Sequence, residues 1–71
     1  MGRQSRRTYA IYVTDDNQGW LRLGTIRASG TSAREVSASI FERLPNLDRK
    51  RTEAALVTRK MEFSRFKLDP A

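Results

Sequence analysis

Any catalysis by this chain would have to rest on eight carboxylates (Asp15, Asp16, Glu35, Glu42, Asp48, Glu53, Glu62 and Asp69), because it has no His and no Cys. That absence excludes zinc fingers, haem ligation, thiol nucleophiles, a Ser-His-Asp triad and a disulfide framework. Asp15 and Asp16 stand in the run Asp15-Asp16-Asn17-Gln18-Gly19. Asp and Asn bond their own backbone in turns, and Gly19 supplies a position for positive φ, so turn formation accounts for the pair. A divalent cation there would want about six to eight oxygen ligands, more than the loop clearly offers. Glu35 follows Ser32 by three residues, the S-x-x-E spacing of a helix capping box. There is neither a G-x-x-x-x-G-K-[ST] phosphate loop nor a G-x-G-x-x-G turn. The expectation is a non-enzyme with no metal and no cofactor.

Binding chemistry is better supplied. Lys and Arg number 14 against 8 Asp and Glu, giving a net charge of +6 and a pI near 10.8. Eleven of the 14 cations are Arg, whose planar fork suits phosphates, base edges and carboxylates. They fall into groups. Arg3, Arg6 and Arg7 form a basic start; Arg22 shares a segment with Trp20; Arg49, Lys50 and Arg51 are consecutive; Arg59 and Lys60 are adjacent. Mobile basic arms lie along phosphates, and aromatic side chains beside cations on an exposed sheet stack bases. The bland alternative is a solvated surface with an ordinary Tyr12–Arg22 cross-strand pair. The expected nucleic-acid contacts are Arg3, Arg6, Arg7, Tyr12, Trp20, Arg22, Arg49, Lys50, Arg51, Arg59 and Lys60.

These side chains need elements to hold them. Thr8 to Thr14 alternates β-branched and aromatic residues with period two, which predicts a strand with Tyr9, Ile11 and Val13 on one face. A second strand runs from Trp20 to Ala28. Facing Thr14 with Trp20 pairs Val13 with Leu21, Tyr12 with Arg22, Ile11 with Leu23, Ala10 with Gly24 and Tyr9 with Thr25. Gly24 marks a bulge or a close approach, and a bulge would turn Ile26 towards the core. Ser32 caps a helix over about 33–44, with Ala33, Val36, Ile40 and Leu44 as its apolar stripe and Pro45 as its stop. Its opposite surface (Arg34, Glu35, Ala38, Ser39, Glu42, Arg43) suits a protein contact or plain solvent. Residues 55–67 read as a third strand with a change of phase near Ser64 and Arg65. The spacing of Val57, Met61, Ser64 and Leu68 also fits a helix.

The resulting fold is α+β: a single ββαβ domain over 8–69 preceded by a flexible basic arm, 1–7. A right-handed crossover sets the three-stranded antiparallel sheet in the order 2-1-3, with one helix on one face. The other face and both edges are left open. A domain this short buries only about 60% of its unfolded surface. Open edges on so small a core favour a partner, either a homodimer through a sheet edge or a larger protein. The leading function is electrostatic nucleic-acid binding, to DNA or RNA. The rival is a protein-interaction module, an accessory subunit or phage-type inhibitor docking on a nucleic-acid-handling complex. No apolar run approaches the ~18 residues of a membrane span, and no apolar stretch follows the basic start, so the expected compartment is the cytoplasm. The stretch from Tyr9 to Leu44 resembles the sheet-plus-helix arm-binding domain of phage integrases. That module completes three strands before its helix, unlike this chain, and no motif carries a site residue across.

Overall fold

A computed structural model describes residues 6–15 and 19–68. The elements in chain order are β1 (Arg6–Thr14), β2 (Trp20–Ser29), α1 (Ala33–Arg43), a 3₁₀ turn (Arg49–Arg51), β3 (Thr52–Val57) and β4 (Phe66–Lys67). They form one antiparallel sheet in the order β2-β1-β3-β4, with α1 packed on one face. The expected order 2-1-3 is present within it, but the sheet has four strands, not three.

β1 takes the centre because it has something to bury on both sides. Tyr9 and Ile11 face α1, where they join Ala28, Val36, Ile40, Phe41, Ala54 and Leu68 in the core. Ala10 and its β3 neighbour Ala55 face the other way, and both are fully buried. β2 and β3 each run antiparallel to β1, so they are parallel to each other, and α1 carries the chain back across β1 between them.

The hairpin register holds at its turn end, where Tyr12 pairs with Arg22, Val13 with Leu21 and Thr14 with Trp20. It then slips by one residue. Ile11 faces Gly24, not Leu23; Ala10 faces Thr25, not Gly24; Tyr9 faces Ile26, not Thr25. The slip is a bulge at Leu23, next to Gly24, whose φ is +147°. The bulge brings Ile26 against the core and leaves Leu23 half exposed. Positive φ falls on Gly24 and Gly30 among the described glycines, and not on Gly19. β1 also starts earlier than expected. Arg6 and Arg7 pair with Ser29 and Ala28, so they belong to the sheet and not to an arm. Arg3 lies outside the described residues.

α1 is capped as its sequence predicts: the Ser32 side chain accepts the Glu35 N–H at 3.3 Å. The Glu35 carboxylate reaches back one residue further than a capping box requires, accepting from the Thr31 N–H at 2.7 Å and the Thr31 hydroxyl at 2.9 Å. Those bonds hold the Glu35 carboxyl below its ordinary pKa, the Thr31 backbone bond most of all. The buried stripe is Val36, Ser37, Ile40 and Phe41; Ala33 is exposed, and Leu44 is only partly buried.

The largest departure is the third strand. β3 ends at Val57, and the chain reverses at Thr58–Met61 to return as β4. Thr58 organises this turn. Its N–H donates to the Met61 carbonyl at 2.8 Å, and its hydroxyl accepts the N–H groups of Lys60 and Met61 at 3.3 Å each. The phase change near Ser64 and Arg65 is thus a return strand and not a bulge, and the helical alternative for this segment is not formed. Among the described residues no helix is long and apolar enough to cross a membrane.

Candidate nucleic-acid interface

The register sorts the expected contact residues into three places. At the first end of the sheet, Thr8 pairs with both Arg27 and Val57. Arg6 and Arg7 extend β1 beyond Thr8, and the turn bearing Arg59 and Lys60 extends beyond Val57. Arg6, Arg7, Arg27, Arg59 and Lys60 therefore collect at one end. All five are exposed, and none has an ion-pair partner among the described residues. α1 begins at this same end. Arg7 lines a shallow depression of about 380 Å³ there with Tyr9, Ser32, Val36 and Phe66.

Arg49, Lys50 and Arg51 sit at the opposite end, where Val13 pairs with Thr52. Six residues of β1 separate the two cationic groups, about 20 Å at the rise of an antiparallel strand. The basic run is folded into the protein rather than free. The Asp48 carboxylate accepts the Lys50 N–H at 2.9 Å and lies 3.9 Å from the Arg51 guanidinium. The Arg49 guanidinium lies 4.4 Å from the Phe41 ring centroid, shielding that end of the core.

The third group, Tyr12, Trp20 and Arg22, does share the sheet face opposite α1, but this face is only partly open. The chain between β3 and β4 crosses it. The Tyr12 hydroxyl donates to the Glu62 carboxylate, which also pairs with the Arg22 guanidinium at 3.3 Å. Arg65 lies over both aromatics, 4.8 Å from the Tyr12 ring centroid and 5.3 Å from that of Trp20, and pairs with Glu53 at 3.7 Å. Arg65 thus occupies one side of each ring, while Tyr12 is half-buried and Trp20 and Arg22 remain exposed. Glu62 and Arg65 were not among the expected site residues. The Thr58–Met61 reversal that delivers them has no Gly, Pro, Asn or Asp to announce it. Arg27 was missed because it shares the outer face with Arg22 only once the bulge is counted.

The Tyr12 hydrogen bond, reinforced by Arg22, holds the Glu62 carboxyl below its ordinary value of 4.5. Arg22 is pushed the other way, chiefly by its contact with Tyr12 and then by Glu62. A depressed carboxyl stabilises the fold above its unfolded pKa, and that contribution is lost as pH falls through the folded value. The group is solvent-exposed, so the effect is small. Wild type is expected to melt above Glu62→Gln at neutral pH, with the gap closing below about pH 4.5. Thermal melts of both proteins across that range are the check; a gap that does not change with pH would rule out the Glu62 network.

Among the described residues no three acidic side chains come together in a way that could hold a metal ion. Compared with known proteins, the chain matches no family model, no curated protein and no solved structure.

Proposed function

We propose that this chain is a small non-catalytic nucleic-acid-binding protein that grips phosphates with the cationic end of its sheet. The observation that carries the reading is the gathering of Arg6, Arg7, Arg27, Arg59 and Lys60, from three separate stretches of sequence, onto one end with no described acid paired to them. Five unneutralised cations on one end of a domain of +6 net charge form an electrostatic footprint for a polyanion. Arg3 lies outside the described residues and enters only through the net charge of the chain. Backbone contacts of this type position a protein without reading bases, so sequence preference is weak. Tyr12 and Arg22 are engaged by Glu62, and Arg65 lies over the Tyr12 and Trp20 rings, so stacking is secondary to phosphate contact. Arg49, Lys50 and Arg51 belong to a separate, partly neutralised surface.

The test is a fluorescence-anisotropy titration with labelled single- and double-stranded DNA and RNA at several salt concentrations. Binding is expected to survive near-physiological salt and to weaken linearly on logarithmic axes, by a slope of about 0.9 per duplex phosphate neutralised. An affinity that does not respond to salt overturns the proposal. Binding that disappears on the first addition of salt favours the second reading, a protein-interaction module. The observation behind that reading is the pair Leu21 and Leu23, 63% and 52% exposed on the edge strand β2.

A further inference from the structure

The two edges of the sheet are not alike. On one side, β4 is only two residues long, and a short edge strand offers little to pair with. On the other, β2 runs ten residues and contains no Pro, no Lys and no acidic side chain to discourage pairing. Its last outward N–H is already used: the Ser29 N–H donates to the Ser39 hydroxyl of α1 at 3.1 Å. In an antiparallel ladder alternate residues turn their backbone groups to opposite sides. Ser29 therefore shares its outward direction with Arg27 and Thr25 and, across the bulge, with Arg22 and Trp20. The open edge is the stretch from Trp20 to Arg27.

We propose that this stretch pairs with the same stretch of a second copy, in an antiparallel two-fold contact that joins two sheets into one of eight strands. The midpoint of the open stretch falls between Leu23 and Gly24, and a dyad there makes the strand self-complementary. Trp20 faces Arg27 of the second copy, Leu21 faces Ile26, and Arg22 faces Thr25. Each of these pairs joins residues on the same face of the sheet, because both strands carry the bulge at the same place. On the outer face the contact brings a guanidinium beside each Trp20 ring, a favourable cross-strand pairing. On the helix face it covers Leu21 and brings the two Leu23 side chains together at the dyad. Moving the dyad by one residue sets Arg22 against Arg27 of the second copy and Thr25 against Gly24, which pairs like charges and mixes the two faces. The contact is isologous, so it closes at two copies and does not propagate. An isolated bulge is a device that protects an edge; two bulges meeting at a dyad are matched and no longer exclude a partner.

The experiment is sedimentation of the full chain from low micromolar to near-millimolar concentration, with backbone hydrogen exchange at both limits. A dimer is expected at the upper limit, and the amides of Trp20, Arg22, Thr25 and Arg27 should slow there about tenfold or more. Leu23 is exposed, so Leu23→Lys and Leu23→Glu should each fold and each remain monomeric, while an equimolar mixture of the two should recover the dimer. Trp20→Ala should weaken association without the same recovery. A wild type that stays monomeric throughout overturns the proposal. So does a dimer that Leu23→Lys leaves intact, or protection that rises on β4 instead of β2.

Discussion

Neutralising Arg6, Arg7, Arg59 and Lys60 together to glutamine is expected to lower nucleic-acid affinity far more than neutralising Arg49, Lys50 and Arg51. The four belong to the unneutralised end of the sheet, and none is paired to a described acid. If each meets one phosphate of a duplex, each contributes about 0.9 to the slope of log affinity against log salt. Four such contacts account for a loss on the order of 10² in affinity between about 50 and 200 mM salt. The quadruple variant should lose that part of the salt response. The second set is expected to cost less, because Asp48 partly offsets Arg51 and Arg49 is committed to the Phe41 ring. The four side chains are exposed, so the variant should keep its fold and melting temperature. Anisotropy titrations of both variants at matched salt decide the matter. Equal losses from the two sets would mean that net charge and not the cationic end drives binding.

Replacing Gly30 by alanine is expected to be the most damaging small change to the fold. Gly30 joins β2 to α1 with φ +138°, a region essentially reserved for glycine, where an L side chain is strained by about 1–3 kcal/mol. A Cβ there would also lie 2.7 Å from the Glu35 Cβ, 2.8 Å from the Val36 nitrogen and 2.9 Å from the Glu35 carbonyl carbon. Two of those atoms are helix backbone and cannot swing aside, so the first turn of α1 must move, an overpacking cost of about 1–3 kcal/mol. A loss of roughly 3 kcal/mol is large for a domain whose total stability is about 4–10 kcal/mol. At about 4–8 °C per kcal/mol, the melting temperature should fall by more than about 10 °C. The other glycines separate the two causes. Gly24 has φ +147° but open space around it, so Gly24→Ala should show the backbone strain alone. Gly19 has neither constraint, so Gly19→Ala should melt close to wild type. Thermal unfolding of the three variants gives the ranking; equal effects at Gly24 and Gly30 would refute the close approach of Gly30 to α1.

Much of the fold is written in local sequence. The period-two run of β1, the Ser32 cap and the Pro45 stop each follow from local chemistry and are found within a residue or two of their expected place, while the α1 stripe keeps Val36 and Ile40 but turns towards Ser37 and Phe41 and away from Ala33. The bulge was half legible. Gly24 marked the spot, and the gain of Ile26 to the core was its expected consequence, but the residue left over is Leu23. The chain after Val57 was not legible. Thr58 makes its turn with a hydroxyl, a weaker and commoner signal than Gly or Pro, and the returning β4 is only two residues long.

The same division runs through the candidate site. Composition alone determined that the protein is basic, without His or Cys, and rich in Arg, because charge and ligand chemistry do not depend on where residues lie. Which cations act together was decided by the tertiary structure. Arg27 and Lys60 are 33 positions apart in sequence, yet strand pairing sets them at one end of the sheet, while Arg49, Lys50 and Arg51, nearer to Lys60 in the chain, lie at the other end. Trp20 is exposed as its sequence suggests, but the return of the chain ties the Tyr12 hydroxyl to Glu62 and lays Arg65 over both rings. Period and propensity are properties of neighbours, but coverage of a face depends on contacts between residues such as Tyr12 and Glu62, fifty positions apart, and no local pattern encodes that distance.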